Sequence, residues 1–382
     1  MSESVVNPLS RENVLLVAEY YPIGGTRTYV KQLLDFYHRM GAAVTLVTTL
    51  NDADPEIEAL TSSFGYQLVT YAQVLHQSKF ARPAVWSPLR FISERRAFRE
   101  YVSQAGFTRI VVSAGTPGLL LGALDSLPNG IYILHTYPHG RRQELLARVY
   151  LSRLIPRTAQ VVCVSHFQQD LVKRLWHTDS RHVPVLTLVN SCGPELPPRP
   201  VPSTPWQVLT VSMVEDYKQP LQWVRVAVEV SQILGRDNVR FVWVGDGTQL
   251  DAARRSAESF ASLAHIEFVG SRLSAQDYYE SSHLYFQYSS IENMSLAVID
   301  ALRHGLPCVV TETGGLPEIV DNAVTGRVIS PLDESVAAEE IASILCGEKQ
   351  LSSWAQDAKL RYKLKFSQSR WEEDLLAIHS TR

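Results

Sequence analysis

The chain has 382 residues, 45% of them hydrophobic and 20% charged, with a formal net charge of −3 and a pI near 6.4. That length exceeds one ordinary core and predicts two domains, while the mildly acidic balance argues against a nucleic-acid binder, whose domain is strongly basic. The cysteines Cys163, Cys192, Cys308 and Cys346 form no C-x-x-C pair, which argues against a disulfide framework or a zinc site and fits a reducing compartment.

Taken in chain order, the first segment is "MSESVVNPLSREN", which lacks a basic-then-apolar leader. No apolar run approaches the roughly 18 residues that span a bilayer, so a cytoplasmic location is expected. Asn13–Glu19 is short, apolar and Val/Leu-rich, and reads as a buried strand. Tyr21–Gly25 reads as a loop, marked by Pro22 and the Gly24-Gly25 pair. Over Thr28–Met40 the spacing of Tyr29, Val30, Leu33, Leu34 and Tyr37 predicts a helix with one apolar face. Gly41 stops it, and Ala43–Thr48 is a second strand. Strand, helix, strand is a βαβ unit, which implies a parallel sheet. Further strands are expected at Arg109–Ser113, Ile131–His135, Gln160–Ser165 and Val183–Val189.

"SCGPELPPRPVPSTPW" carries six prolines in sixteen residues and reads as a stiff linker. The pattern then restarts with strand Val208–Ser212, helix Pro220–Leu234 and strand Arg240–Val244. A Gly245-Asp246-Gly247 turn follows, then a helix to about Leu263 and strands Ile266–Val269, Leu284–Tyr288 and Cys308–Thr311. The tail from Ser352 to His379 is charged and helical. The expected fold is α/β, with two doubly wound, Rossmann-like parallel-sheet domains facing a central cleft. The boundaries are 1–192, a Pro-rich linker at 193–207, 208–351, and a helical tail at 352–382 packing back on the first domain.

In such sheets ligands sit at the carboxyl ends of strands, so the strand-to-helix loops hold the chemistry. In "SSIENMSLAVIDALRHGLPCVV", Glu292 lies in the loop after a strand, and Ser295 is placed to N-cap a helix running from Leu296 to His304, with Gly305 as its stop. The free N–H groups of that first turn suit a phosphate. Asp300 lies about one turn in; it either pairs with Arg303 or His304 on the surface or serves a ligand.

The order "FVWVGDGTQLDAARRSA", "SSIENMSLAVIDALRHGLPCVV" and "TETGGLPE" resembles the nucleotide-binding half of the retaining GT-B glycosyltransferases of family four, glycosyl transferases group 1. That family's pattern is roughly P-S-x-x-E-G-F-G-x-x-x-x-E-A-x-A-x-G-x-P-V-V-x-x-x-x-G-G-x-x-E. Here the E-x7-E spacing becomes E-x7-D, Glu292 to Asp300. "PIGGTRTYVKQLL", "VVCVSHF" and "FSQSRWEEDL" extend the likeness across the chain. The resemblance implies that Glu292 sits at the donor sugar and that the N–H groups of Asn293, Met294, Ser295 and Leu296 bind sugar hydroxyls and diphosphate. It implies that Asp300 holds the ribose with a shorter side chain. It also implies that Gly24 and Gly25 bring backbone against the diphosphate or acceptor; the alternative for that pair is an ordinary turn. The family's Arg…Lys clamp on the diphosphate is half present. Lys218 stands in "VSMVEDYKQP", but Met213 occupies the arginine position, which leaves Arg272 or Arg27 as candidates for the missing charge. Taken alone, Lys218 reads as a solvated surface lysine.

His135 ends "GIYILH", where the family places a histidine near the sugars; a hydrogen-bonded structural role is the alternative. His139 and His166 are weaker candidates, and Asp246 reads as structural. "GRRQELLARVYLSRLIPR" carries Arg141, Arg142, Arg148, Arg153 and Arg157 with an apolar stripe through Leu145, Leu146, Val149, Tyr150 and Leu154. It is either a surface helix with its apolar side in the core or a peripheral contact to the inner face of an anionic membrane.

The resemblance implies a retaining, metal-independent glycosyltransferase of hexosyltransferase type that uses no cofactor. Its partners are then a nucleotide-diphosphate sugar, expected to be a UDP-sugar, and a hydroxyl acceptor on a glycan, lipid or small molecule. Glu292, Lys218 and His135 are the expected catalytic residues, and polysaccharide or glycoconjugate biosynthesis the expected setting. The alternatives are a nucleotide-sugar or glycan-binding protein that has lost transfer, and a sugar-nucleotide epimerase or phosphorylase on the same fold.

Overall fold

The computed structural model describes residues 9–21, 24–52, 54–79, 88–115, 120–138, 140–146, 148, 155–156, 159–177, 183–197, 203–330 and 333–381. The chain divides into two compact units, one of residues 1–188 with 374–382, the other of residues 189–373.

The first unit is built on a seven-stranded sheet in the order β3-β2-β1-β4-β5-β6-β7. Its strands are β1 (Asn13–Ala18), β2 (Ala43–Thr48), β3 (Gln67–Thr70), β4 (Arg109–Ala114), β5 (Ile131–Leu134), β6 (Gln160–Cys163) and β7 (Val185–Thr187). Every pairing in it is parallel. The inner strands are apolar along their length because helices cover both faces of such a sheet. The first helix starts at Gly25 and ends at Arg39, three residues earlier at its start than the apolar spacing implied. Gly24 is its N-cap residue with φ 121°, so the chain turns into the helix inside the glycine pair, and Gly25 is helical rather than loop. Tyr29, Val30, Leu33, Leu34, Phe36 and Tyr37 are buried on its inner face.

The C-terminal stretch of this unit completes its core. The Tyr37 hydroxyl and His379 Nε2 are hydrogen-bonded at 3.0 Å, and Gln160 Nε2 donates to the Thr381 carbonyl at 2.7 Å. The tail is not one continuous helix. It runs as Glu348–Arg361, a π-helical turn at Tyr362–Phe366, an extended Ser367, and then Gln368–Ser380.

The second unit holds a six-stranded sheet in the order β10-β9-β8-β11-β12-β13. Its strands are β8 (Trp206–Val211), β9 (Val239–Val244), β10 (His265–Gly270), β11 (Leu284–Gln287), β12 (Cys308–Thr311) and β13 (Gly326–Ile329). They too are parallel throughout. Trp223, on the helix Pro220–Leu234, anchors the core edge-on against Phe241, Trp243 and Phe268. Its indole N–H donates to Thr210 Oγ1 at 2.8 Å, so the large ring is buried with its polar atom satisfied. Part of the proline-rich stretch is tied into this unit. Arg303 Nε donates to the Pro194 carbonyl at 2.7 Å, Lys359 to that of Leu196 at 3.3 Å, and the Tyr362 hydroxyl to that of Gly193. Residues 198–202 of that stretch lie outside the described residues.

Strand order reverses in each sheet, between β1 and β4 in the first and between β8 and β11 in the second. Such switch points open a crevice at the carboxyl ends of the strands. The loops that follow β8 and β11 therefore set the geometry of the second unit.

Candidate active site

The loop after β8 runs from Ser212 into a short 3-10 turn, Asp216–Lys218. The loop after β11 runs from Tyr288 to Ser295. Backbone bonds tie the two together: the Ser290 amide donates to the Tyr217 carbonyl at 2.8 Å, and the Ser290 hydroxyl to the same oxygen at 3.2 Å. Lys218 and Glu292, 74 positions apart, meet as a result in a direct ion pair. Their side chains are only 10% and 14% exposed, so little water competes for the pair. The Lys218 ammonium also lies 5.4 Å from the centroid of the Tyr217 ring.

Glu292 is held from further directions. Its Oε2 accepts from Gln287 Nε2 at 2.7 Å, and its Oε1 from the Asn293 amide at 3.2 Å. Gln287 is the last residue of β11 and 1% exposed. Its carbonyl oxygen accepts from the Ser295 hydroxyl at 2.9 Å. Ser295 caps the helix Leu296–Arg303 in turn, accepting from the Val298 amide at 3.4 Å. The first-turn amides of Leu296 and Ala297 precede the intrahelical ladder and carry the positive end of the helix dipole. An acid, a lysine and a helix N-terminus are thus fixed on one loop pair at the switch point. Asn293 and Met294 are buried beside them.

Two glycine contacts preset these loops. A Cβ on Gly314, which has φ +56°, would sit 1.6 Å from the Glu292 carbonyl oxygen. Its neighbour Gly315 donates its amide to the Asn293 carbonyl at 2.8 Å. On the other side, a Cβ on Gly245 would lie 1.9 Å from the Ser212 carbonyl oxygen. Asp246 accepts the Val214 amide on its carbonyl at 2.9 Å. The Gly-Asp-Gly turn is therefore a buttress for the loop that carries Met213 and Lys218. Met213 itself is 44% exposed.

Asp300 sits inside the helix and pairs with Arg303 at 3.2 Å, with His304 Nδ1 at 3.6 Å. Burial pushes its pKa up, opposed by His304 and Arg303. The pairing that the i,i+3 and i,i+4 spacing permits is present, on a half-buried acid rather than a solvated one. Arg272 is exposed and donates to its own loop, to the Ser271 carbonyl at 3.0 Å and the Tyr278 hydroxyl at 3.4 Å. Arg27, in the first unit, grips Asp54 through Nε at 2.7 Å and Nη2 at 2.8 Å and pairs with Glu56.

The remaining candidates are in the first unit. Gly24 and Gly25 are exposed at the start of the helix after β1. His135 follows β5, with its Nε2 2.8 Å from the buried Ser113 hydroxyl and its ring edge-on to Tyr29 at 4.6 Å. Burial pushes its pKa down to about 4, so near neutral pH it is an uncharged hydrogen-bonding group. His166 is an exposed first residue of the helix His166–Trp176. His139 and much of the arginine-rich segment, including Arg153 and Arg157, lie outside the described residues. Within that segment Arg141, Arg142 and Arg148 are exposed, and so is Leu145. Among the described residues no group of three or more His, Cys, Asp or Glu is arranged to hold a metal ion, and no helix is long and apolar enough to cross a membrane.

Gln287 and Tyr217 are the site residues the sequence did not single out; Gly314 was read only as part of the Gly-Gly motif. For Gln287 the available signal was a lone amide ending an otherwise buried strand.

Residues 195–361 match the family model for glycosyl transferases group 1, and residues 23–187 match that for Glycosyltransferase Family 4. The first match falls in the second unit and the second match in the first. A polysaccharide biosynthesis protein, VipC/TviE of Salmonella typhi, is 27% identical over 137 residues, which is 36% of this chain and 23% of that protein. N-acetyl-alpha-D-glucosaminyl L-malate synthase of Bacillus anthracis is 23% identical over 119 residues, 31% of each chain. The matched stretches thus span only a quarter to a third of those relatives' length. Among solved structures, a glycosyltransferase from Rickettsia africae superposes with a TM-score of 0.73 at 15% identity, covering 97% of this chain and 99% of that one. The Anabaena protein Alr3699/HepE, solved in complex with UDP and glucose, gives 0.74 at 15% identity, covering 97% and 100%. The fold is that of the GT-B glycosyltransferases, with two parallel-sheet α/β units.

Proposed function

We propose that this chain transfers a sugar from a nucleotide-diphosphate sugar to a hydroxyl acceptor, with retention at the anomeric carbon and without a metal ion. The observation that carries this reading is the Lys218–Glu292 pair beside the N-terminus of the helix Leu296–Arg303. A departing diphosphate needs positive charge where its own negative charge grows, and preorganised donors supply it at no reorganisation cost. Lys218 and the first-turn amides supply that charge in place of a cation. Glu292 orients the donor sugar and balances the positive charge that develops on its ring. The acceptor oxygen bonds to the anomeric carbon from the leaving-group side as the bond to the diphosphate oxygen breaks. The acceptor's proton passes to a phosphate oxygen.

A UDP-sugar is the donor this reading favours, supported by the UDP and glucose bound to the Anabaena structure. Asp300 serves the ribose in this scheme, at the cost of sharing its carboxylate with Arg303. Gly24 and Gly25 give the acceptor or diphosphate close access to backbone, and the neutral His135 accepts or donates a hydrogen bond near the sugars. Exposed Leu145 beside Arg141 and Arg142 supports peripheral contact with an anionic membrane, which co-sedimentation with anionic and neutral vesicles tests.

A thermal-shift panel of UDP-, GDP- and ADP-sugars tests the donor site. A ligand at about 100 times its Kd adds roughly 2.7 kcal/mol of stability, so one nucleotide class should raise Tm clearly. No shift with any of them contradicts the donor site. Release of sugar from that donor, abolished in Glu292→Ala, separates a transferase from a binding protein.

A further inference from the structure

The side chain of Gln287 is placed where this architecture calls for an apolar residue. It ends β11, pairs in register with Val310 of β12, and is 1% exposed. Burying an amide is unfavourable unless each of its groups is bonded, and here they all are. The nitrogen donates to Glu292 Oε2 at 2.7 Å and to Ser289 Oγ at 3.2 Å. The side-chain oxygen accepts from Ser295 Oγ at 2.9 Å, with the Tyr285 hydroxyl oxygen 3.4 Å away. The orientation is forced, since an ionised carboxylate only accepts, and so the nitrogen must face Glu292. The Tyr285 hydroxyl is fixed in turn by the Val211 carbonyl at 3.0 Å, at the end of β8.

We propose that Gln287 is a positioning residue for the transfer reaction: its carboxamide locks the Glu292 carboxylate and the Ser295 helix cap into one register. Without it the acid still meets Lys218 and the Asn293 amide, but its side-chain link to the helix cap is lost. Both must contact the same donor, the acid at the sugar and the helix at the diphosphate, so their spacing sets how well the transition state is held. A misplacement of about 1 Å in such a constellation costs on the order of 100-fold in rate. The inference rests on the transferase reading, and its test is arranged to fail separately.

The test compares Gln287→Leu and Gln287→Glu with the wild type between about pH 5 and 8, with kcat counted per UDP-binding site by calorimetry so that unfolded protein does not enter. Gln287→Leu should lose about 100-fold in kcat, with KM for the donor within about threefold because ground-state binding is little changed. Gln287→Glu carries the decisive signature. A protonated carboxyl has one O–H to donate and an oxygen to accept with, so at low pH it reproduces the amide. Once ionised it can no longer donate, and it places a second negative charge against Glu292, which that close pair resists. The ratio of Gln287→Glu to wild-type kcat should therefore be highest near pH 5 and fall toward the leucine variant's level by pH 8. A leucine variant within about twofold of wild type, or a glutamate-to-wild-type ratio that does not change with pH, overturns the proposal. Should Gln287→Leu not fold, the pH ratio of Gln287→Glu decides alone. If the wild type consumes no sugar nucleotide, the transferase reading fails, and a crystal structure of either variant still decides the register. Glu292 and Ser295 displaced relative to one another supports the lock, and both unmoved contradicts it.

Discussion

At the switch point of the first unit, Gly24 has φ +121°, and a Cβ built there meets nothing within 4 Å. In the second unit, Gly314 has φ +56° and its added Cβ would lie 1.6 Å from the Glu292 carbonyl oxygen. Gly247 would meet the Val214 carbonyl at 2.4 Å. The same kind of parallel sheet thus uses glycine for two purposes. In the first unit it supplies only a backbone conformation that other residues adopt with strain, and it leaves open space in front of the chain. In the second it lets two loops touch backbone to backbone, which holds Lys218 and Glu292 in place. In the first unit burial also disfavours the charged form of two histidines, pushing His135 down to about 4 and His379 down to about 3.

The most disruptive way to break this contrast is Gly314→Ala. Both the positive φ and the clash with backbone oppose it, so it should cost about 3 kcal/mol or more and abolish transfer with it. Gly24→Ala meets strain but no clash and should cost about 1–2 kcal/mol. Urea melts of the two variants measure the difference, and equal losses would remove the distinction between the two loops.

The histidines give the next largest effect. A folded-state pKa below the unfolded value near 6.5 means that the unfolded chain binds the proton more readily. Stability from that group is fully present above pH 6.5 and is lost as pH falls toward about 3 for His379. By pH 5 the buried His379 should account for about 2 kcal/mol of lost stability. His379→Gln, which can keep a hydrogen bond to Tyr37, should flatten the fall in stability between pH 7 and 5 by that amount. Unchanged pH dependence would show that the imidazole is not held neutral.

The smallest effect probes the exposed edge of the second unit. Met213→Arg adds a cation on the loop that carries Lys218, and it should tighten UDP binding by about 0.5–1 kcal/mol, read by calorimetry at low salt. No gain would show that position 213 does not face the phosphates.

The sheets were legible because buried parallel strands read as short apolar runs, as in "NVLLVA" and "CVVT". β3 and β13 were not. "QLVT" is a four-residue edge strand with no fully buried position, and "GRVI" has a half-buried arginine and opens on a glycine whose Cβ would meet the Cys308 carbonyl at 1.8 Å. The helix cap at Ser295 followed from local chemistry, since a serine before an apolar run can bond its own first turn. The partners of Glu292 did not. Lys218 is remote in sequence, Gln287 is an amide whose purpose appears only once the next loop folds over it, and the need for glycine at 314 comes from a carbonyl 22 residues away. Asp300 was readable as either a ligand group or an ion-pair partner, because i,i+3 spacing from Arg303 permits the pairing without requiring it.

The central claim is that Lys218, Glu292 and the helix N-terminus beside them form the donor site of a sugar transferase. Its most direct measurement is the release of nucleoside diphosphate from a panel of UDP-, GDP- and ADP-sugars by the wild type and Lys218→Ala. The account predicts that the wild type consumes one class of donor and that the variant is about 100- to 1,000-fold slower, the loss expected when a charged group that stabilises the leaving group is removed. Equal rates in the two proteins, or no release from any donor by the wild type, would contradict it.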